Sequence, residues 1–331
     1  MNVYVIIVTY GKRFNLLEQV VEATLSQEVY KVIIVDNASC LESKKKLKLY
    51  ETNHSNKVKV IYLDENTGSA GGYKKGLEEV VNDPKCDFIW LLDDDNKPVE
   101  FALQNLLKFW SKIELIDKES KISLSSNRFC LDENCVLLML NENVTLGRPN
   151  SFLGFDIMTS FKEIIKILMG KRLQKLVKNY ISKKLRKDFV ELSCASYGGL
   201  FFHKKLLQII GFPDERFYLY FDDLEWTYRI NEHGGKIYLI MNSKIIDIDK
   251  TIKQKGFLNL PKDPLRLYYT ARNEIYFEIN KLVSNKLIYK INQYFYLSLE
   301  CLFNFKNVGF LIEAIKDAKN GHLGKKTFIN K

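Results

Sequence analysis

The run Ile89-Trp90-Leu91-Leu92-Asp93-Asp94-Asp95-Asn96 sets three adjacent carboxylates at the end of an apolar segment. Such groups repel one another and lose hydration where the segment is buried. A divalent cation relieves both problems, and hard oxygen donors suit Mg²⁺ or Mn²⁺ shared with substrate phosphates. The competing reading is an exposed acidic turn capping the helix expected after Pro98. A second acidic group, Asp222-Asp223, follows the aromatic run Phe217-Tyr218-Leu219-Tyr220-Phe221 and precedes Leu224-Glu225-Trp226, with Arg229 at helical spacing. Apolar surroundings raise a carboxyl's proton affinity, which a general base that deprotonates a hydroxyl requires. A helix N-terminus capped by the same two aspartates explains them without catalysis.

The third pattern is Asn66-Thr67-Gly68-Ser69-Ala70-Gly71-Gly72, leading to Gly76. Glycines before a helix let backbone amides approach an anion; glycines kept for close helix packing are the alternative. The spacing is neither a Walker loop nor a dinucleotide fingerprint, so ATP and hydride chemistry are not indicated. Asp36 and the stretch Thr9–Arg13 each follow a strand-like run, where a ribose or base could be met, or where the chain simply turns. The histidines His54, His203, His233 and His322 form no triad with a Ser or Cys, and read as structural or idle.

The elements that must position these residues alternate. Val3–Tyr10, Val32–Val35, Val58–Leu63 and Phe88–Leu92 are strand-like. Leu16–Leu25, Leu41–Tyr50 and the segment from the glycine turn to Val81 are helix-like. This order predicts a Rossmann-like α/β fold, a mostly parallel sheet with helices on both faces and ligands beyond the strand carboxyl ends. A helix over Ala102–Ile113 comes next, with weaker strands near Ile122 and Val136. Further strands are expected at Leu200–Phe202, Ile237–Ile240 and Ile245–Ile248, and helices from Arg266 to about Ala318.

The 331 residues are 46% apolar and 13% aromatic, enough for a sizeable core and too many for a disordered chain. The six cysteines have no zinc spacing and read as reduced thiols of a cytoplasmic protein. Val3–Thr9 reads as a strand, not a signal peptide, and no 18-residue apolar run suggests a membrane span. The net charge of +10 concentrates in Lys162–Lys187, an amphipathic basic stretch, and in the tail from Lys281. Basic patches of this kind are solvated faces, or meet nucleic acid or anionic lipid. The apolar and aromatic stripe in Lys281–Phe305 is either core packing or a surface that rests on a membrane.

Taken in order, Thr9-Tyr10, Val35-Asp36-Asn37, the Asn66–Gly72 turn, Asp93–Asp95 and Asp222-Asp223-x-Glu225 resemble inverting GT-A-type family 2 glycosyltransferases. The triple aspartate with the Gly-Gly turn is most similar to bacterial galactofuranosyltransferases, with rhamnosyltransferases next. The resemblance covers about Met1–Lys250, with Tyr197-Gly198-Gly199 near the acceptor. It implies a GT-A domain over 1–260, interrupted by a basic helical insertion at 161–188, and a C-terminal helical region over 261–331. It implies Mn²⁺ or Mg²⁺ held by Asp93 and Asp95, with Asp94 on the metal or ribose. Thr9, Arg13, Asp36, Asn66, Gly71 and Gly72 would line the nucleotide sugar. Asp223 would be the base, with Asp222 and Glu225 orienting base or acceptor. Where the family usually has a metal-binding histidine, this chain has Asp247 or Asp249.

The reaction so implied moves galactofuranose from UDP-galactofuranose to a saccharide or lipid-linked saccharide, as in O-antigen-like surface polysaccharide synthesis. It would take place in the cytoplasm, at the inner face of the membrane or away from it. A dTDP-rhamnose donor is the alternative. Peripheral membrane contact and a homodimer are compatible partners, and nucleic acid is not expected. A nucleotidyltransferase would leave Asp222-Asp223-x-Glu225 without purpose. A basic module for nucleic acid or anionic lipid would leave both acidic groups unexplained, since carboxylates repel phosphates unless a metal intervenes.

Overall fold

The computed structural model describes residues 1–128, 148–158, 188–249, 261 and 263–327. They fall into two compact units. One takes 1–128, 189–249 and 324–327; the other takes 148–158, 188, 261 and 263–323. The basic stretch Lys162–Lys187 and the strand expected near Val136 lie outside the described residues.

The first unit is built on a nine-stranded sheet in the order β3-β2-β1-β4-β8-β6-β9-β5, with β7 beside β9. The strands are β1 (Val3–Thr9), β2 (Lys31–Asn37), β3 (Val58–Leu63), β4 (Phe88–Asp93), β5 (Asn96–Pro98), β6 (Ile122–Arg128), β7 (Phe189–Leu192), β8 (Leu200–His203) and β9 (Lys236–Asp247). Helices α1 (Phe14–Leu25), α2 (Leu41–Asn53) and α3 (Gly68–Val81) link the first four strands, which run parallel. Beyond β4 the sheet is mixed: β8 runs antiparallel to β4 and β6, while β9 is parallel to β6 and antiparallel to β5 and β7. β1 and β4 are apolar and buried nearly throughout because both faces of the sheet are covered. One face carries α1 and α4 (Ala102–Ser111), the other α3 and α5 (Asp222–Glu232).

Two details of register set up the site. Thr9 lies beside Asp36 and Val8 beside Asp93, so the carboxyl ends of β1, β2 and β4 finish together. The two strands expected at Ile237–Ile240 and Ile245–Ile248 are one, β9, whose far end pairs Asp247 with Asn96 of β5. Opposite it, β6 shifts register between Ser126 and Asn127. Such an irregularity re-aims the side chains beyond it, here Arg128. The glycine segment is also more regular than a turn, since α3 begins at Gly68 and takes Gly71 and Gly72 within its first turns.

The second unit contains α6 (Pro264–Phe277), α7 (Lys286–Phe303) and α8 (Phe305–Asn320). Asp263 caps α6 by accepting from the Arg266 N–H, and Pro264 sits in the first turn where no donor is needed. The Tyr268 hydroxyl of α6 donates to Asp317 of α8 at 2.6 Å.

Candidate active site

β4 ends where its apolar run ends, because a carboxylate cannot follow Leu92 into the core without a partner. Beyond it lies an acid cluster balanced by two arginines. Asp94 is 3% exposed; it accepts from the Thr9 hydroxyl at 2.8 Å and from Arg13 Nε at 2.9 Å. The Arg13 Nη atoms reach Asp95 at 3.0 Å and Asp249 at 2.8 Å. Arg128 places Nη2 2.9 Å from Asp247 and Nη1 3.6 Å from Asp93. The Asn96 amide ties Asp247 (2.7 Å) to Asp95 (3.2 Å). Burial pushes the Asp94 carboxyl up to about 7 against the pull of Arg13; its two donors nonetheless match the ionised form. Burial, then repulsion from Asp93, raises Asp95. Both guanidiniums are held charged: burial opposes this, and the neighbouring carboxylates outweigh it.

The second acid pair is built differently. Tyr218, Tyr220 and Phe221 adopt φ of 63°, 65° and 64°, left-handed values that bulky residues rarely take. Strain of this kind persists where surrounding structure imposes it, commonly at functional sites. It delivers Asp222 and Asp223 at the start of α5. Asp222 is 2% exposed and accepts from the Ser69 hydroxyl at 2.8 Å. Asp223 is partly open and accepts from the Leu224 N–H at 2.9 Å. Among the described residues neither forms an ion pair. Burial raises both, Asp222 to about 8 with added repulsion from Asp223, and Asp223 to about 6. Asp93 raises Asp223 further and Arg128 lowers it, so the two acid groups feel each other.

Aromatic side chains stand between them. The Tyr73 hydroxyl lies 2.7 Å from Asp93 Oδ1, and its ring is 4.1 Å from that of Tyr197, which in turn meets Trp226. The buried Tyr197 hydroxyl sits in the field of Asp222 and Asp223. Gly198 passes so close that a Cβ would collide with Asn96 and stand 2.9 Å from Asp93 Oδ2.

The nucleotide-side candidates divide. Asp36 is fully buried; one oxygen accepts from the Ser39 N–H at 2.9 Å and the other, Oδ2, has no partner. An orphaned carboxylate oxygen at a strand end is suited to a ligand donor. Arg13 also lies over the Tyr10 ring at 5.5 Å, and Tyr10 is half exposed. Asn66 turns inward instead, accepting from the Gly68 N–H at 2.8 Å to start α3. Gly71 and Gly72 are buried against Thr67 and Val8, where a Cβ would stand 2.5 and 2.7 Å from their atoms. They seat the start of α3 against Thr67 and β1. Glu225 is held by Arg229 at 2.6 Å, and Arg229 also bonds the Ile210 and Phe212 carbonyls. Of the two alternatives in β9 and its extension, Asp247 faces Arg128 and Asp249 faces Arg13.

Asp93, Asp95 and Asp247 are hard oxygen donors gathered by Asn96, chemistry that fits Mg²⁺ or Mn²⁺. Arg128 already serves Asp93 and Asp247, and among the described residues no three His, Cys, Asp or Glu side chains stand together as a finished cage. A divalent ion bound there would compete with that guanidinium. Nothing in the sequence pattern marks Arg128, and Ser69 and Tyr73 stand out only as part of, or next to, the glycine segment. Each is unremarkable in type, and only the sheet order brings it to the site.

The acids lie beyond the carboxyl ends of β4 and β9, with a second acidic pair at a helix start, on a mixed α/β fold of the GT-A type. The solved GalNAc-T7 structure with UDP, GalNAc and Mn²⁺ matches 98% of this chain at a TM-score of 0.57 and 14% identity. The chain spans 55% of that protein's length. The mannosyltransferase PcManGT from Pyrobaculum calidifontis, solved with GDP-Man and Mn²⁺, matches 96% of the chain and 87% of its own at 0.50 and 13% identity. In sequence, residues 4–116 match the Glycosyl transferase family 2 model. The dTDP-rhamnosyl transferase RfbF of Shigella flexneri is 26% identical over 283 residues, 82% of this chain and 78% of RfbF.

Proposed function

We propose that the protein transfers a hexose from a nucleoside-diphosphate sugar to a saccharide or lipid-linked saccharide hydroxyl by a single inverting displacement. The observation that carries this reading is the pairing of a cation-balanced acid cluster at the end of β4 with an unneutralised pair, Asp222 and Asp223, in electrostatic contact with it. The acceptor oxygen attacks the anomeric carbon, the bond from that carbon to the diphosphate oxygen breaks, and Asp223 takes the hydroxyl proton. Asp222, sealed and held by Ser69, positions Asp223. Asp36 offers its free oxygen to the nucleoside, and Arg13 holds Asp94 and Asp95 against the strand end. Asp93 and Asp95, with Asp247, are the residues that would hold Mg²⁺ or Mn²⁺, whose charge stabilises a leaving diphosphate.

Two donors have support. The likeness to RfbF over most of the chain favours dTDP-rhamnose; the Asp93–Asp95 triplet with its Gly-Gly companion favours UDP-galactofuranose. Calorimetry with dTDP and UDP, each with Mn²⁺, Mg²⁺ or EDTA, separates them. Metal-dependent binding of one nucleotide, lost in Asp93→Ala and kept in Asp223→Asn, supports the assigned roles and names the donor class. Failure of both nucleotides to bind with either metal overturns the reading.

A further inference from the structure

Helix α7 is amphipathic the wrong way round for a solvated helix. Its buried positions are Tyr289, Asn292, Gln293, Tyr296 and Glu300, all polar or amphipathic. Leu287, Ile288, Ile291, Tyr294 and Leu302 are 46–76% exposed, and at about 100° per residue they fall on one face. The neighbouring α8 is conventional, burying Val308, Leu311, Ala314, Ile315 and Ala318.

The inversion is locked by specific bonds. Asn292 donates to the Asn150 carbonyl at 2.8 Å and accepts from the Ile157 N–H at 3.2 Å. The Tyr289 hydroxyl donates to buried Glu278 at 2.9 Å, and Lys319 donates to Gln293 at 3.1 Å. Asn285 caps the helix from the same side, accepting from the Leu287 and Ile288 N–H groups. Rolling α7 to hide its apolar face would bury aliphatic groups against these polar partners and strand them, at a large penalty. The apolar face is therefore held outward.

The charges around it choose the occupant. Lys286 and Lys290 are exposed on α7 and Lys306 at the start of α8, while the one carboxylate between residues 286 and 306, Glu300, is 1% exposed and faces inward. A symmetric second copy would press lysines against lysines. An anionic lipid surface accepts both the apolar residues and the cations. We infer that α7 docks on an anionic membrane surface, lying in its interface. No described helix is long and apolar enough to cross a membrane, so this is contact from one side.

The test is co-sedimentation of the full chain with phosphatidylcholine vesicles and with vesicles containing phosphatidylglycerol. Binding to the anionic vesicles only is expected, with Ile291→Glu and Leu302→Glu each reducing it at least about tenfold. Lys290→Glu should reduce it about fivefold or more, as one lysine near such a surface predicts. Both kinds of variant replace exposed residues, and an unchanged melting temperature verifies the fold. Wild-type protein left in the supernatant with anionic vesicles overturns the inference. So does a wild-type dimer that Ile291→Glu dissociates while vesicle binding stays unchanged.

Discussion

Asp93–Asp95 and Asp222–Asp223 are two runs of the same residue in one folded unit; burial raises carboxyls in both, but their partners differ. The strand-end group is ion-paired by Arg13 and Arg128 at 2.9–3.6 Å, and burial still raises Asp94 and Asp95. The helix-start group has a serine hydroxyl and a backbone amide as its donors. Burial without a paired cation makes it hold protons. Placement of two arginines thus distinguishes the strand-end group, which is ion-paired, from the helix-start pair, which among the described residues is not. The helix dipole of α5, which favours negative charge at its start, moderates the second group without reversing it.

The largest break in this comparison is Asp223→Asn. Removing a general base lowers turnover by about 10²–10⁴-fold, and nucleotide binding measured by calorimetry should stay within about threefold of wild type. Asp93→Ala should do the reverse, abolishing metal-dependent nucleotide binding and lowering turnover by at least about a hundredfold. If either variant showed the other's phenotype, the division of labour would be wrong.

A smaller effect concerns stability. Asp222 in the folded protein protonates at about 8, above an unfolded aspartate, so folding binds a proton and stability falls as pH rises from the unfolded value toward 8. Asp222→Asn should therefore stabilise the protein at pH 8 by on the order of 1–3 kcal/mol. The gain should vanish near pH 4, as thermal melts at the two pH values would reveal. The smallest expected change is in Arg128→Ala. With the resident guanidinium gone, Mn²⁺ should bind severalfold more tightly in titration calorimetry; weaker binding would mean that Arg128 helps to hold the site open for the ion.

Much of this contrast is legible in the sequence. The β-branched runs of β1–β4 and the abrupt stop at Asp93 fix the parallel half of the sheet, because buried strands must be apolar on both faces. The Asp222-Asp223 group stands out for the same reason, as charge inside an aromatic run. Three things are not legible there. Arg128 ends a strand with no pattern of its own, and a register shift in β6 aims it. Gly71, Gly72 and Asn66 have the composition of an anion-binding turn, and the sequence does not show that they also seat and start α3. Glu225 shares a motif with Asp223 but lies on the side of α5 facing Arg229, since i and i+4 meet on a helix. The inverted face of α7 escapes for a related reason: periodicity identifies a stripe but not which side of it is buried.

The most direct test of Asp223 as the base is the pH dependence of turnover at saturating donor in the wild type and in Asp223→Asn. Burial sets Asp223 to release its proton at about 6, so wild-type turnover should climb through that region and level off above it. The residual activity of Asp223→Asn should lack that limb. A wild-type profile flat between about pH 5 and 8, or a limb that survives in Asp223→Asn, would contradict the assignment.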